Sequence, residues 1–459
     1  MDKELSGQLA ALKAFFKKGS TLSYSFRREK LMDLKKAILQ NEPDIFQGLH
    51  KDLKKNREES WVTETGFLLA EINHTIKNLR KWMKKKKVST NLVNFPSKSY
   101  IYKEPLGVVL IIGTWNYPLQ LLLTPLVGAI AAGNCVVLKP SEFAPATAAV
   151  IEKIITAIYP PEYILLVKGE GSIIVPELIN QFRFDHIFYT GGTNVGRIIY
   201  EMAAKQLIPV TLEMGGKSPC VVDETASIKI AAKRIALTKF SNAGQMCVAP
   251  DYVLVHQSKK QELIDELIIN IQKFFSTDAA ASEDYGKIIN EKQFQRLIGY
   301  LSNSKIAYGG KYNKEASYIE PAILEDVSIQ DAVMGNEIFG PILPILTYSS
   351  FEEALAIIHH NPDPLAFYIF TENKEAENKW LQSVSFGGGC INNASWHITN
   401  YNLPFGGKGN SGLGNYHGNY SFDLFTHQKA VMKTPTWFDP AVKYPPFKGK
   451  LNLFRKIVR

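Results

Sequence analysis

Residues 106–139 read LGVVLIIGTWNYPLQLLLTPLVGAIAAGNCVVLK, and the way this run divides decides the fold. No charged side chain occurs from Pro105 to Leu138, a run long enough to cross a membrane on hydropathy alone. Asn116, Pro118, Gln120, Pro125 and Asn134 interrupt it, giving a strand, a turn, a helix and a second strand. Strands buried on both faces need no charge, so the division predicts the centre of a parallel sheet wound with helices.

Downstream the same alternation continues through "YILLVKG", "DHIFYTGG" and "IPVTLEMGG". A second series follows in "SPCVVD", "DYVLVH", "LPILTY" and "LAFYIF", so two parallel-sheet α/β domains are expected. Upstream the pattern is helical, with Leu31, Leu34, Ile38 and Leu39 on one face and Pro43 as a breaker. "STNLVNFPSKSYIYKEP" then alternates about a Pro-Ser turn and predicts a protruding two-stranded ribbon.

A chain of 459 residues exceeds what one core serves, and 45% hydrophobic with 21% charged residues describes a folded globular protein. The net charge of +9 would suit nucleic acid, an anionic membrane surface or an anionic ligand. Much of it is local, however. Lys84, Lys85, Lys86 and Lys87 end a helical pattern, and Lys443, Lys448, Lys450, Arg455, Lys456 and Arg459 lie in the last residues. Both groups read as solvated faces.

Four cysteines, Cys135, Cys220, Cys247 and Cys390, show neither metal-ligand nor disulfide spacing, which suits reduced thiols in a cytoplasm. The amphipathic N-terminus is not a secretory signal, and "LNLFRKIVR" is too short and too charged to span a bilayer.

Polar residues collect at the expected strand ends, where α/β proteins hold ligands. Asn116 follows the first strand, and Lys139 and Glu142 follow the second. "FYTGGTNVGR" places Thr190, Gly191, Gly192 and Gly196 where a strand turns into a helix whose N–H groups could receive a phosphate. The six-residue dinucleotide fingerprint is absent, and Gly412 to Gly414 read as a turn. Glu213 in "TLEMGGKSP" is a candidate base or helix cap, and "GNEIFGPILP" offers Glu337 and Phe339. Cys247 in "SNAGQMCVAP" is either core filler or a nucleophile.

Taken together, in this order and spacing, these residues resemble the aldehyde dehydrogenase superfamily over nearly the whole chain. "GTWNYP", "LVGAIAAGNCVVLKPSE", "YTGGTNVG", "CVAPDY" and "NYHGNYSFD" are most similar to its class 3 branch. The resemblance implies a Rossmann-like NAD-binding domain (1–86 and 108–212), a catalytic domain (213–410), an oligomerisation ribbon (87–107 and 426–437) and a C-terminal extension (438–459).

It further implies that Cys247 attacks the aldehyde and forms first a thiohemiacetal and then a thioester. Asn116 and the Cys247 N–H would hold the oxyanion, and Glu213 would act as base. Lys139 and Glu142 fall at the adenosine ribose, Thr190, Gly191, Gly192 and Gly196 near the pyrophosphate, Glu337 at the nicotinamide ribose, and Phe339 beside the ring. NAD is the expected cofactor with NADP also accepted, and no metal is implied. The expected reaction takes medium or long aliphatic or aromatic aldehydes to acids, with Tyr117, Met246 and Trp396 as candidates for lining the channel. An acylating enzyme that passes the acyl group to coenzyme A is the alternative, and Glu213 argues against it. A homodimer is expected, with no nucleic acid partner and no membrane segment.

Overall fold

The computed structural model describes residues 3–458. The run 106–139 divides as its sequence predicts, into the strand Val108–Ile112, the helix Gln120–Ala132 and the strand Cys135–Lys139. All three are buried throughout, because the strands lie inside a sheet and the helix is covered by the helices Gly66–Trp82 and Gly418–Leu424. Gly133, at φ 93°, ends the helix in the left-handed conformation that glycine adopts without steric cost.

These strands centre a six-stranded sheet ordered Gly412–Leu413, Val210–Met214, His186–Gly191, Val108–Ile112, Cys135–Lys139, Ile164–Leu166. All but the first are parallel. The order of the parallel strands reverses between Val108–Ile112 and His186–Gly191, and such a reversal opens a crevice at the carboxyl ends of the strands. A second sheet of seven strands runs Lys305–Tyr308, Ala322–Glu325, Ile342–Tyr348, Tyr252–His256, Pro219–Val222, Ala366–Phe370, Gly388–Ile391, again parallel except for the first. The fold is therefore α/β with two largely parallel sheets.

A third, antiparallel sheet stands apart, and here the ribbon expectation needs correction. Lys98–Pro105 pairs with Lys86–Val88 on one side and with Thr426–Lys433 on the other, so the element has three strands. Residues 89–95 do not form a strand; a short turn at Leu92–Asn94 takes their place. Three smaller expectations also change. The helix before Lys84 ends at Trp82, and Lys86 and Lys87 lie in a strand. Leu39 is half exposed while Leu31, Leu34 and Ile38 are buried. Gly412 and Leu413 are not simply a turn but pair with Glu213 and Leu212.

Candidate active site

The segment that delivers Cys247 is strained. Asn242, Ala243 and Gly244 take φ values of 51°, 50° and 72° in succession, a conformation that costs a non-glycine residue about 1–2 kcal/mol. Side chains hold it in place. Asn242 Nδ2 donates to the carbonyls of Asn116 (2.9 Å) and Gln245 (3.1 Å), and Gln245 Nε2 donates to those of Asn242 (3.0 Å) and Lys287 (2.9 Å). Only glycine fits at 244, because a Cβ there would lie 2.2 Å from the Gly340 carbonyl.

The turn presents Cys247 half-buried. Burial, with Glu337 and Glu213 adding negative charge nearby, pushes this thiol up to about 12.

Asn116 sits in the loop after Val108–Ile112, at the order reversal of the first sheet. Its side-chain Nδ2 donates to the Gln245 carbonyl at 3.1 Å, tying that loop to the cysteine turn. A fully buried ion pair anchors the loop from below. Lys55 Nζ meets Glu64 Oε1 at 2.8 Å and the Asn116 carbonyl at 3.1 Å, while Glu64 Oε2 accepts the N–H groups of Leu119 and Gln120.

Two cavities meet at Cys247. The larger, about 540 Å³, is lined by Asn116, Thr190, Gly191, Gly192, Glu213, Glu337 and Phe339 among others. The smaller, about 230 Å³, is mostly apolar, with Phe67, Tyr117, Met246, Trp396, Ile398 and Tyr416 in its wall. Cys247 thus stands where a polar cleft touches a greasy one.

Glu213 is buried at the end of Val210–Met214, and neither carboxylate oxygen has a hydrogen-bond partner. Burial alone holds it well above the usual carboxylate range. Glu337 leans over Gly215 so closely that a Cβ on that glycine would meet Oε2 at 1.9 Å. It receives the Gly216 N–H, and burial beside Asp251 raises it to about 8.

The loop carrying Glu337 and Phe339 is clamped at its backbone. Lys217, paired with buried Asp251, donates to the carbonyls of Val333 and Asn336, and Arg296 donates to those of Glu337 and Ile338. The clamp keeps Phe339, at φ 49°, against Trp115 with ring centroids 5.2 Å apart.

The family model for the aldehyde dehydrogenase family matches residues 3–431. The chain belongs to the aldehyde dehydrogenase family. It is similar to the 4,4'-diaponeurosporen-aldehyde dehydrogenase of Staphylococcus aureus, 48% identical over 445 residues that cover 96% of each chain. The dimeric NADP-preferring aldehyde dehydrogenase of Rattus norvegicus is 43% identical over 95% of this chain and 96% of its own. Among solved structures, a substrate-bound Staphylococcus aureus AldH superposes with a TM-score of 0.98 at 46% identity, covering 100% of both chains. These relatives support the class 3 branch, and the protein is an oxidoreductase acting on aldehydes.

Aldehyde dehydrogenases use NAD or NADP, and the larger cavity has the chemistry to receive such a dinucleotide. Gly192 precedes the helix Thr193–Ala204, no side chain caps that helix, and a Cβ on Gly192 would meet nothing within 4 Å. Unpaired N–H groups at a helix start and open space above them suit a phosphate. Thr190 Oγ1 is buried without a partner in the same wall.

Of the residues singled out in the sequence, Asn116, Thr190, Gly191, Gly192, Glu213, Cys247, Glu337 and Phe339 line this one aldehyde dehydrogenase cavity. Tyr117, Met246 and Trp396 line the other. Lys139, Glu142 and Gly196 line neither. Lys139 pairs with Glu142, whose Oε1 accepts the Gly171 N–H at 2.8 Å, and Gly196 makes room for Met214 and Tyr189. Lys55, Glu64 and Arg296 fall in none of the sequence motifs, whereas Lys217, Asp251 and Tyr416 lie within "TLEMGGKSP", "CVAPDY" and "NYHGNYSFD" with no role legible there, because their partners in the site are distant along the chain.

Proposed function

We propose that this enzyme oxidises aldehydes bearing a medium or long aliphatic chain or an aromatic group to carboxylic acids, with NAD as cofactor and NADP also accepted. The observation that carries this reading is the junction of a polar and an apolar cavity at Cys247. An apolar aldehyde in the smaller cavity can bring its carbonyl carbon to the thiol while its tail stays out of water.

In this reading Cys247 gives up its thiol proton to water, the resulting thiolate bonds to the carbonyl carbon, and negative charge gathers on the oxygen. The second hydrogen of the Asn116 amide and the Cys247 N–H are the donors for that charge, pre-oriented by the bonds described above. A bound nicotinamide dinucleotide supplies the hydride acceptor that turns the thiohemiacetal into a thioester. Glu337 and Phe339 would orient its nicotinamide end, the 190–196 segment would hold phosphate, and Lys139 with Glu142 would read the adenosine ribose beyond the cavity. Glu213 then accepts a proton from water, the hydroxide attacks the thioester carbon, and the acid leaves as Cys247 regains its proton. Its unpartnered, buried oxygens suit that task. They also disfavour acyl transfer to coenzyme A, which needs no water-activating carboxylate.

The division of labour follows the sheets. Residues 1–86 and 108–212 bind the dinucleotide, 213–410 hold the nucleophile, and 87–107 with 426–437 mediate assembly. The strand Thr426–Lys433 leaves one edge free and is exposed along most of its length, which supports a homodimer. The four free cysteines suit a reducing cytoplasm. Following NADH formation and acid release over aldehydes of graded chain length plus benzaldehydes tests the reading. Faster turnover with longer or aromatic substrates supports it, and product formation only with coenzyme A present would replace it with the acylating alternative.

A further inference from the structure

Phe405 stands in the wall of both cavities, so its placement shapes the space next to Cys247 on either side. The turn Tyr416–Gly418 holds it there. Phe405 and Tyr416 exchange both backbone N–H···O bonds, at 3.0 and 2.8 Å, and the His417 ring stacks on the Phe405 ring with centroids 5.2 Å apart and planes 14° from parallel. Tyr416 and His417 themselves line the apolar cavity.

The chain does not adopt this turn freely. His417, at φ 84°, takes a positive value that favours glycine, and Gly418 follows at φ 52°. Two side chains capture consecutive backbone donors and so fix the conformation. Ser421 Oγ accepts the His417 N–H at 2.9 Å, and Glu71 Oε1 accepts the Gly418 N–H at 2.7 Å. Gly418 opens the helix Gly418–Leu424, where N–H groups have no partner within the helix. A Cβ on Gly418 would lie 2.3 Å from the Tyr401 carbonyl, so the turn is confined from a second direction as well.

Glu71 is buried and lines neither cavity. It lies one turn of the helix Gly66–Trp82 from Phe67, whose ring is 5.6 Å from that of His417 in the wall of the apolar cavity. We infer that Glu71 is a positioning residue for the apolar tail of the aldehyde, fixing the His417 and Phe405 rings through the Gly418 N–H. The inference rests on the smaller cavity being the tail site, as proposed above. What Glu71 supplies is an acceptor oxygen at the right reach rather than a charge. Burial pushes its carboxyl up to about 7, and a protonated carboxyl still presents one bare oxygen to the N–H.

Two variants separate reach from charge. Glu71→Gln keeps the length and a carbonyl oxygen while removing the charge. Glu71→Asp keeps the carboxylate but withdraws it by one methylene, so the Gly418 N–H loses its partner. Steady-state rates are measured on octanal and on acetaldehyde, which has no tail to reach the wall. In Glu71→Asp the KM for octanal should rise about tenfold, the scale of one buried hydrogen bond lost, while kcat, the KM for acetaldehyde and the Kd for NAD stay within about twofold. Glu71→Gln should match the parent throughout. A parent-like KM for octanal in Glu71→Asp, or a loss in Glu71→Gln with Glu71→Asp intact, overturns the inference. Equal losses on the two aldehydes, or failure of either variant to show a cooperative urea transition, overturns it too, since Glu71 would then serve the fold as a whole. A parent enzyme with the same KM for octanal and acetaldehyde removes the tail site itself, and so separates failure of the substrate reading from failure of Glu71.

Discussion

The side-chain amide of Asn116 donates a hydrogen bond to the Gln245 carbonyl, 3.1 Å away and two residues before Cys247. One amide hydrogen thus fixes the first sheet's loop to the nucleophile's turn, and the other is left for the substrate oxygen. Asn116→Ala should lower kcat about 100- to 1000-fold, the usual cost of losing one oxyanion donor. Steady-state kinetics check it, and a loss below tenfold would remove Asn116 from that role.

Gly215→Ala should weaken dinucleotide binding, because its Cβ would occupy the position of Glu337 Oε2. Displacing that carboxylate at a cost of ~1.4 kcal/mol or more gives at least a tenfold rise in Kd. Titration calorimetry with NAD measures it, and unchanged affinity would mean that Glu337 does not touch the cofactor.

The ion pair beneath the Asn116 loop is expected to matter for stability. Lys55→Met leaves Glu64 buried without its cation, a change that costs about 3–5 kcal/mol. Lys55→Met combined with Glu64→Gln should recover part of the loss, since the uncompensated charge is then gone. Urea unfolding of the two variants reads the difference. Equal stability of the single variant and the parent would contradict the assignment.

How much of this was legible in the sequence depends on range. Val108–Ile112 and Cys135–Lys139 could be read directly, because burial on both faces leaves an uninterrupted apolar run with breakers at its ends. Glu213 and Cys247 stood out by type and position relative to predicted strands, and their meeting in one cavity needed the fold. Lys55 and Glu64 lie in a helical stretch that reads as ordinary surface charge, and only the packing of Asn116 above them gives them partners. The alternation alone predicts two strands where three pair, because Lys98–Pro105 alternates as a strand whichever neighbour it takes; the resemblance is what joins 426–437 to the ribbon. Its main partner, Thr426–Lys433, lies more than 300 residues away.

Turnover should rise with pH. Burial holds Glu213 well above the usual carboxylate range, so the fraction of it able to act as a base grows as the pH is raised. Folding stability should move the opposite way. Glu71, pushed up to about 7 by burial, and Glu337, at about 8, bind protons in the folded chain that the unfolded chain has released above about pH 4.3. Stability is therefore fully present below that value and falls as pH climbs through 7 and 8. Profiles of kcat and of urea midpoint against pH should cross; a kcat that falls across this range would contradict the assignment of Glu213.

The most direct test of the account is Glu213→Gln followed from the first turnover into the steady state, with NAD and an aliphatic aldehyde in excess over enzyme. Glutamine keeps the size and can hold a water, yet it cannot take the proton that thioester hydrolysis requires. The account predicts a burst of NADH near one equivalent per active site, a steady rate lower by ~100-fold or more, and an acyl adduct on Cys247 visible by intact mass. Parent-like steady turnover, or an adduct on any residue other than Cys247, would contradict it.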